Sequence, residues 1–190
     1  MIEAADFLLD TVLGLFTLAA LLRFYLQWTR APYQNPVSQT VVAVTDFAVK
    51  PLRRVVPSWS GLDLSTLVLA FFAQLLLQIA TLFLRGYPIL VATAPAYLAI
   101  VGLTIVALLR LSVYIFMYAV VIQALISWVN PYTPLAPVLD SLTRPLLNPL
   151  RRRISSASGI DFTPLIVLIG AQLLLMLIVL PVTRYLSLML

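Results

Sequence analysis

Four long apolar stretches alternate with short polar segments along the chain. Each stretch reaches or exceeds the ~20 residues that an α-helix needs to cross the hydrocarbon core of a bilayer. The third stretch is the longest, and we expect its first residues, 89–94, to lie at the interface or to re-enter the membrane. The pattern predicts an all-α membrane protein with spanning helices at residues 7–28, 63–84, 95–129 and 162–182.

The two links that join these helices in pairs carry a different pattern. Apolar residues recur there at three- and four-residue steps, beginning at Val37 in the first link and at Val138 in the second, and arginines collect at the C-terminal ends. This spacing is typical of an amphipathic helix that lies in the headgroup plane. We predict interfacial helices within residues 36–57 and 135–154. Prolines 51, 145 and 149 predict that they are short and bent, a turn or two each.

One pattern occurs twice in the chain. Lys50-Pro51-Leu52-Arg53-Arg54 and Gly61-Leu62-Asp63-Leu64-Ser65 return 98 residues later as Asn148-Pro149-Leu150-Arg151-Arg152 and Gly159-Ile160-Asp161-Phe162-Thr163. At the same offset Gln74 matches Gln172, and at an offset of 100 the residues Arg23 and Trp28 match Gln123 and Trp128. The repetition predicts two related units, residues 1–85 and 101–190, which residues 86–100 connect and which pack against each other.

The basic residues indicate how often the long third stretch crosses the membrane. A single crossing places both links on one side, whereas two crossings place them on opposite sides. Eight of the twelve Lys and Arg residues lie in the two links, and short basic loops stay in the cytoplasm. We therefore predict two repeats of the same orientation, with cytoplasmic links and with both termini on the outer side.

Composition excludes several classes of protein. With 62% hydrophobic and 10% charged residues and a mean hydropathy of +1.05, the chain is too apolar for a water-soluble domain. It has neither cysteine nor histidine, which excludes disulfides, thiolate metal sites and histidine acid/base catalysis. We expect no cofactor. Acidic residues near the N-terminus, Glu3 and Asp6, stand where a cleaved signal carries Lys or Arg, so we expect the first helix to be retained.

The Gly-x-Asp-x-Ser/Thr motif has two interpretations. Glycine allows a left-handed turn, and Asp63 and Asp161 then stand where a carboxylate can cap the next helix, with or without pairing to nearby arginines. Alternatively, the two carboxylates form a polar site for a charged partner at the cytoplasmic mouth, together with five arginines: Arg53, Arg54, Arg151, Arg152 and Arg153. The residue pattern leaves both interpretations open.

Basic residues in the links indicate lipid contact rather than nucleic-acid binding. No aromatic residues interleave with them, and no nucleic-acid module is recognisable. Two or three arginines in each link are what a cytoplasmic loop between membrane helices needs for its orientation. Arginines at this position also attract anionic phospholipids. We expect Trp28 and Trp128 at the interface, and Arg23 close enough to the surface for its side chain to reach the headgroups.

Four of the polar residues inside the predicted spans have two interpretations each. Asp10 and Arg110 each precede a matching tryptophan by 18 residues, so they share one depth and either form an ion pair or reach the outer headgroups separately. Gln74 and Gln172 are expected near the bilayer centre. There they either hydrogen-bond neighbouring helices or line a pathway for a polar solute.

The doubled pattern resembles the bacterial YggT family, which has cyanobacterial and plastid relatives. Its elements are Arg-x4-Trp, Asn35-Pro36, Pro-Leu-Arg-Arg and Gly-x-Asp-x-Ser before an apolar helix, and the match covers nearly the whole chain. The second copy departs from the pattern at Gln123. The resemblance implies a protein of the bacterial inner membrane without established enzymatic activity. It also implies loose links to osmotic-stress tolerance and ion homeostasis and, in photosynthetic relatives, to division and cytochrome complex biogenesis.

Two classes of function follow as expectations. The first is a non-catalytic scaffold or assembly factor that presents its cytoplasmic face to lipid and to a membrane-protein partner, which includes a second copy of the chain. The second is a small channel or transporter with a pathway past Gln74, Gln123 and Gln172. We expect no enzyme, because the chain lacks the residue types that usually form a catalytic centre.

Overall fold

The computed structural model describes residues 2–58, 61–130, 132–153 and 161–190. Within these ranges all regular structure is helical. The elements are α1 (Ile2–Trp28), α2 (Pro36–Leu52), α3 (Leu64–Leu84), a 3-10 turn (Ile89–Val91), α4 (Ala94–Val129), α5 (Ala136–Arg151), α6 (Thr163–Leu174), a π-helical segment (Leu175–Val179) and α7 (Leu180–Ser187).

Four helices are long and apolar enough to cross a membrane: α1, α3, α4 and the continuous helix Thr163–Ser187, which contains α6, the π-helical segment and α7. The predicted all-α fold with four spanning helices is confirmed. The predicted lead-in at 89–94 contains the 3-10 turn, whose Ile89 carbonyl accepts a hydrogen bond of 2.7 Å from the Tyr97 hydroxyl.

The linking helices are longer than predicted. α2 has 17 residues and α5 has 16, so the expectation of a turn or two each is wrong. The three prolines expected to shorten and bend them, Pro51, Pro145 and Pro149, lie inside the helices. The ladder resumes after Pro51 because the Arg53 amide donates to the Val49 carbonyl at 2.9 Å. The last residue of the predicted second link and Gly159 lie outside the described residues.

Packing joins the spans in an open row. Within the repeats α1 packs on α3, and α4 packs on α6 and α7; between the repeats the main contact joins α3 to α4. Residues without bulky side chains allow the close approach, since Thr17, Ala20 and Ala70 are fully buried. Among the described residues α6 and α7 make no packing contact with α1. In the described part of the chain α3 therefore has a spanning neighbour on both sides, α1 and α4, whereas the fourth span packs on one spanning helix, α4.

Both linking helices lie at the same end of the bundle. Val41 of α2 and Val138 of α5 belong to one buried cluster, which also contains Leu26 of α1 and Ala119 of α4. The Asn35 side-chain amide donates a hydrogen bond to the Pro134 carbonyl just before α5. The polar residues of the two links are thus presented on one face.

Candidate functional site

Arg23 is buried where α2 crosses α1. Its side chain donates to the Thr45 hydroxyl at 2.8 Å and to Asp46 Oδ1 at 3.0 Å, and the residue is 3% exposed. The expectation that Arg23 reaches the headgroups is wrong, because α2 folds back over α1 at this point and covers the side chain. A guanidinium at this depth requires the carboxylate that α2 supplies.

Asp46 links this buried arginine to the surface. Its second oxygen accepts from the Lys50 ammonium at 2.7 Å. The hydrogen bond from Lys50 is the main cause that holds the pKa of Asp46 below its ordinary value; burial opposes the shift and Arg23 supports it. Asp46 is therefore ionised at neutral pH. Sequence reasoning did not find Thr45 or Asp46.

The second repeat replaces the buried ion pair with a neutral contact. Gln123, which matches Arg23, accepts a hydrogen bond from the Thr143 hydroxyl, and Thr143 matches Thr45. The position that matches Asp46 is Arg144, whose side chain pairs with the exposed Asp140 at 2.7 Å. Both members of the Arg23–Asp46 pair are replaced in the second repeat, so neither repeat contains a buried charge without a partner at this position.

The Gly-x-Asp motif forms an arginine-aspartate pair in both repeats. Arg53 Nε donates to Asp63 Oδ2 at 3.0 Å, and Arg151 Nε donates to Asp161 Oδ2 at 2.8 Å. Each pair connects the end of a linking helix to the start of a spanning helix. Gln27 lies beside the first pair. With its amide turned so that the nitrogen faces the carboxylate, it donates to Asp63 Oδ2 and accepts from Arg53 Nη2, both at 3.1 Å.

Capping distinguishes the two aspartates. Asp161 accepts a hydrogen bond of 2.9 Å from the Thr163 amide, whereas Asp63 makes no capping hydrogen bond because its carboxylate turns toward Arg53. Burial alone would raise the pKa of Asp161, but hydrogen bonds from Thr163 and Arg151 outweigh burial and hold the pKa below its ordinary value. Capping, one of the two interpretations of the motif, therefore holds for Asp161 but not for Asp63. Gly61 has the expected left-handed backbone, with a φ of 81°.

The remaining arginines of the predicted polar site are exposed. Arg54, Arg152 and Arg153 follow the last turns of the linking helices and lie on the surface. Trp28 is the last residue of α1, and Trp128 lies in the last turn of α4. The two side chains are 48% and 85% exposed. These positions are suited to contact with headgroups.

A second polar region lies toward the other end of the bundle. Asp10, Gln74 and Arg110 line a cavity of ≈ 440 Å³ between α1, α3 and α4. Asp10 and Arg110 thus face the same space, but among the described residues no ion pair within 4.0 Å joins them. Nearby, Arg85 pairs with Asp6 at 2.8 Å and fastens the end of α3 to the start of α1. Sequence reasoning did not find this pair.

The three glutamines lie in different surroundings. Gln74 is half-buried beside the Asp10 cavity, Gln123 contacts Thr143, and Gln172 is exposed on the fourth span. Among the described residues no single cavity contains all three, because α6 has no spanning neighbour on the face where Gln172 lies. A route past all three stays a prediction. Within the described residues no group of three or more carboxylates could hold a metal ion.

Comparison with known proteins matches each repeat separately. The sequence model described as CCB3/YggT covers residues 2–84 and again residues 102–182. The chain belongs to this family. The first CCB3/YggT segment contains α1, α2 and α3, and the second contains most of α4, all of α5 and α6 and the beginning of α7.

Individual relatives agree with this assignment. A Pseudomonas aeruginosa protein is 36% identical over 178 residues, which are 93% of this chain and 88% of the relative. The Escherichia coli K12 protein YggT is 36% identical over 164 residues, 86% of this chain and 82% of its own length. A Vibrio alginolyticus protein is 31% identical over 171 residues, 90% of either chain. No solved structure matches the chain.

The family assignment and the four spans make this CCB3/YggT chain a multi-pass membrane protein of a bacterial family. The arginine-aspartate pairs of the two links lie within the two matched segments, whereas Arg85 of the Arg85–Asp6 pair follows the first segment directly. The Arg23 and Gln123 clusters occupy equivalent places but differ in charge.

Proposed function

We propose that the chain is a non-catalytic scaffold or assembly factor of the bacterial inner membrane that acts at the cytoplasmic face. The observation that supports this proposal most is an apolar layer where α1, α3 and α4 meet. Ala20, Leu21, Ala70, Leu108 and Ile115 form one buried apolar cluster across α1, α3 and α4. Along α1 this cluster lies between the cavity of Asp10 and the cluster of Arg23, so the two polar regions are separated by packed side chains.

The anchoring of the linking helices also favours a scaffold. Each link is fastened to the span before it through a buried threonine, Thr45 or Thr143, and to the span after it through an arginine-aspartate pair. Such contacts hold the helices at a set position on the membrane surface. Exposed arginines on the same face would add attraction to anionic phospholipids of ~1 kcal/mol per charge.

The fourth span offers a surface for a partner within the membrane. Gln172 is exposed on it, and an amide that faces lipid near the bilayer centre is unfavourable unless another helix accepts it. The matching helix α3 is covered by α4, the first span of the following repeat. By the same arrangement, we expect the first span of a second copy to cover α6. The family resemblance suggests that such an assembly serves osmotic-stress tolerance or cell-envelope and division processes.

A small channel or transporter is the second candidate. It is favoured by the cavity of Asp10, Gln74 and Arg110, which places two charged groups and an amide inside the spanning region. Transport from this cavity toward the cytoplasmic face would require the apolar cluster around Leu21 to open. The two candidates therefore differ in whether solutes cross.

Flux through the purified protein tests the proposal. In liposomes that contain the chain, we expect potassium and sodium flux no greater than in empty liposomes, because the apolar layer closes the route. Size measurement of the same preparation reports whether a second copy is bound. The scaffold proposal fails if flux is present, disappears in Gln74→Leu and persists in the matched control Gln172→Leu, whose side chain lies outside the cavity.

A further inference from the structure

A cavity with an unusual concentration of positive charge lies beneath the first linking helix. It is formed by the end of α1, the turn that follows and α2, and its volume is ≈ 450 Å³. Four cationic residues line it, with one carboxylate: Arg23, Arg30, Lys50, Arg53 and Asp46. The hydroxyl-bearing residues Tyr33 and Ser38 complete the polar wall. We refer to this cavity as the link pocket.

The charges of the link pocket are only partly neutralised from within. Asp46 is shared by Arg23 and Lys50, and Asp63 pairs with Arg53. Among the described residues Arg30 has no ion-pair partner within 4.0 Å. Arg23 is 3% exposed, and its Nε has no hydrogen-bond acceptor within the described part of the chain. An anion in the pocket would balance the remaining positive charge.

Arg30 occupies its place at a conformational cost. Its φ is 53°, in the left-handed region, and the turn closes through a 2.9 Å hydrogen bond from the Ala31 amide to the Leu26 carbonyl. Glycine or asparagine usually occupies such a position after a helix, because a larger L side chain is strained there. Observed strain of this kind is a reason to look for function. Here the strained residue contributes its side chain to the wall of the link pocket.

The second repeat shows that its fold does not require these charges. A cavity of ≈ 730 Å³ lies at its corresponding end, lined by Gln123, Ser127, Arg151 and Asp161 among others. The neutral residues Gln123, Asn130 and Asn148 match Arg23, Arg30 and Lys50. Of the four cationic residues of the link pocket, only Arg53 has a basic counterpart in this cavity, Arg151. The cationic lining is therefore a property of the first repeat alone.

We propose that the link pocket binds the phosphate group of an anion, either a free phosphate or the headgroup of a phospholipid. Guanidinium groups donate paired hydrogen bonds to phosphate oxygens, and an ammonium adds a point charge. Arg30, Arg53 and Lys50 present these groups around one cavity, and Trp28 at the end of α1 places it near headgroup level. The site is independent of whether the chain carries a solute.

Binding to a pair of variants with equal loss of charge tests the site. Arg30→Asn with Lys50→Asn copies the residues of the second repeat and leaves the Arg53–Asp63 and Arg23–Asp46 pairs in place. The matched control, Arg144→Gln with Arg152→Gln, removes two exposed cations from the second link. The full-length protein in phosphatidylcholine nanodiscs is titrated with inorganic phosphate in one arm. In the other arm it receives dioctanoyl phosphatidic acid, with binding followed by native mass spectrometry and thermal shift.

We expect the wild type and the control to bind within twofold of each other, and the pocket variant to bind at least tenfold more weakly. Binding of phosphatidic acid alone would identify the source as a lipid headgroup, and binding of inorganic phosphate would identify a free anion. The proposal is overturned if neither probe binds the wild type. It is also overturned if the folded pocket variant keeps full affinity, or if the control loses as much as the pocket variant, since surface charge alone would then explain binding.

Discussion

Asp46→Arg is expected to destabilise the protein by about 3 to 5 kcal/mol, because it leaves a buried charge without its partner. Arg23 is 3% exposed, and Asp46 provides its only ion-pair contact among the described residues. The new arginine also places a second cation beside the first. Unfolding of the purified protein in detergent, followed by helix content during an SDS titration, measures the loss.

The second repeat supplies a rescue for this variant. Adding Arg23→Gln to Asp46→Arg reproduces the pair Gln123 and Arg144, and Val42→Asp then supplies the counterpart of Asp140. We expect the triple variant to recover most of the lost stability, since the buried position no longer carries a charge. Wild-type stability in Asp46→Arg, or no recovery in the triple variant, would show that the ion pair does not hold α2 on α1.

Ala70→Leu is expected to cost about 1 to 3 kcal/mol in the same unfolding assay, because added methylenes do not fit a packed seam. Ala70 is 0% exposed in the cluster where α1, α3 and α4 meet. The second repeat has Leu168 at this position, and that residue is half-buried because the fourth span has, among the described residues, α4 as its one spanning neighbour.

The reverse change, Leu168→Ala, is the control for this substitution. We expect it to cost about 1 kcal/mol or less, as is usual away from a closed core. Comparing the two losses of stability measures the difference in packing between α3 and α6, which are equivalent in the two repeats. A larger loss in Leu168→Ala than in Ala70→Leu would contradict the open row, because it would mean that α6 is the more tightly covered helix.

The four spans could be predicted because they depend on local composition. An apolar stretch of sufficient length becomes a spanning helix whatever it packs against, so the predicted second span at 63–84 differs from the observed Leu64–Leu84 by one residue. The linking helices depend more on context. Pro145 and Pro149 predict a kink or an end of the helix, but the surrounding turns retain enough hydrogen bonds for α5 to continue to Arg151.

Polar contacts could be predicted only where they are close in sequence. Arg53 and Asp63 lie 10 residues apart in one motif, and their pairing was among the alternatives. Arg23 and Asp46 are 23 residues apart and meet because α2 folds back on α1. The signal was nevertheless present: both positions change together between the repeats, to Gln123 and Arg144.

The position of a residue along a spanning helix predicts its depth in the membrane but not the direction in which its side chain faces. Asp10 and Arg110 were placed at one depth, and both line one cavity, yet their separation depends on how α1 and α4 are rotated. Gln74 and Gln172 match in the repeats but differ in surroundings, because α3 lies between two spans and α6 does not. Gln74 and Gln172 are therefore equivalent in sequence but do not have equivalent surroundings.

The central claim is that two repeats of the same orientation present both links to the cytoplasm. Because the chain contains no cysteine, single cysteines introduced at exposed positions report sidedness without background. The positions are Gln39→Cys in α2, Tyr132→Cys before α5 and Ser187→Cys at the end of α7. In spheroplasts treated with an impermeant maleimide, we expect Ser187→Cys to react at once and the two link cysteines to react only after lysis. Labelling of Gln39→Cys or Tyr132→Cys in intact spheroplasts would contradict the claim.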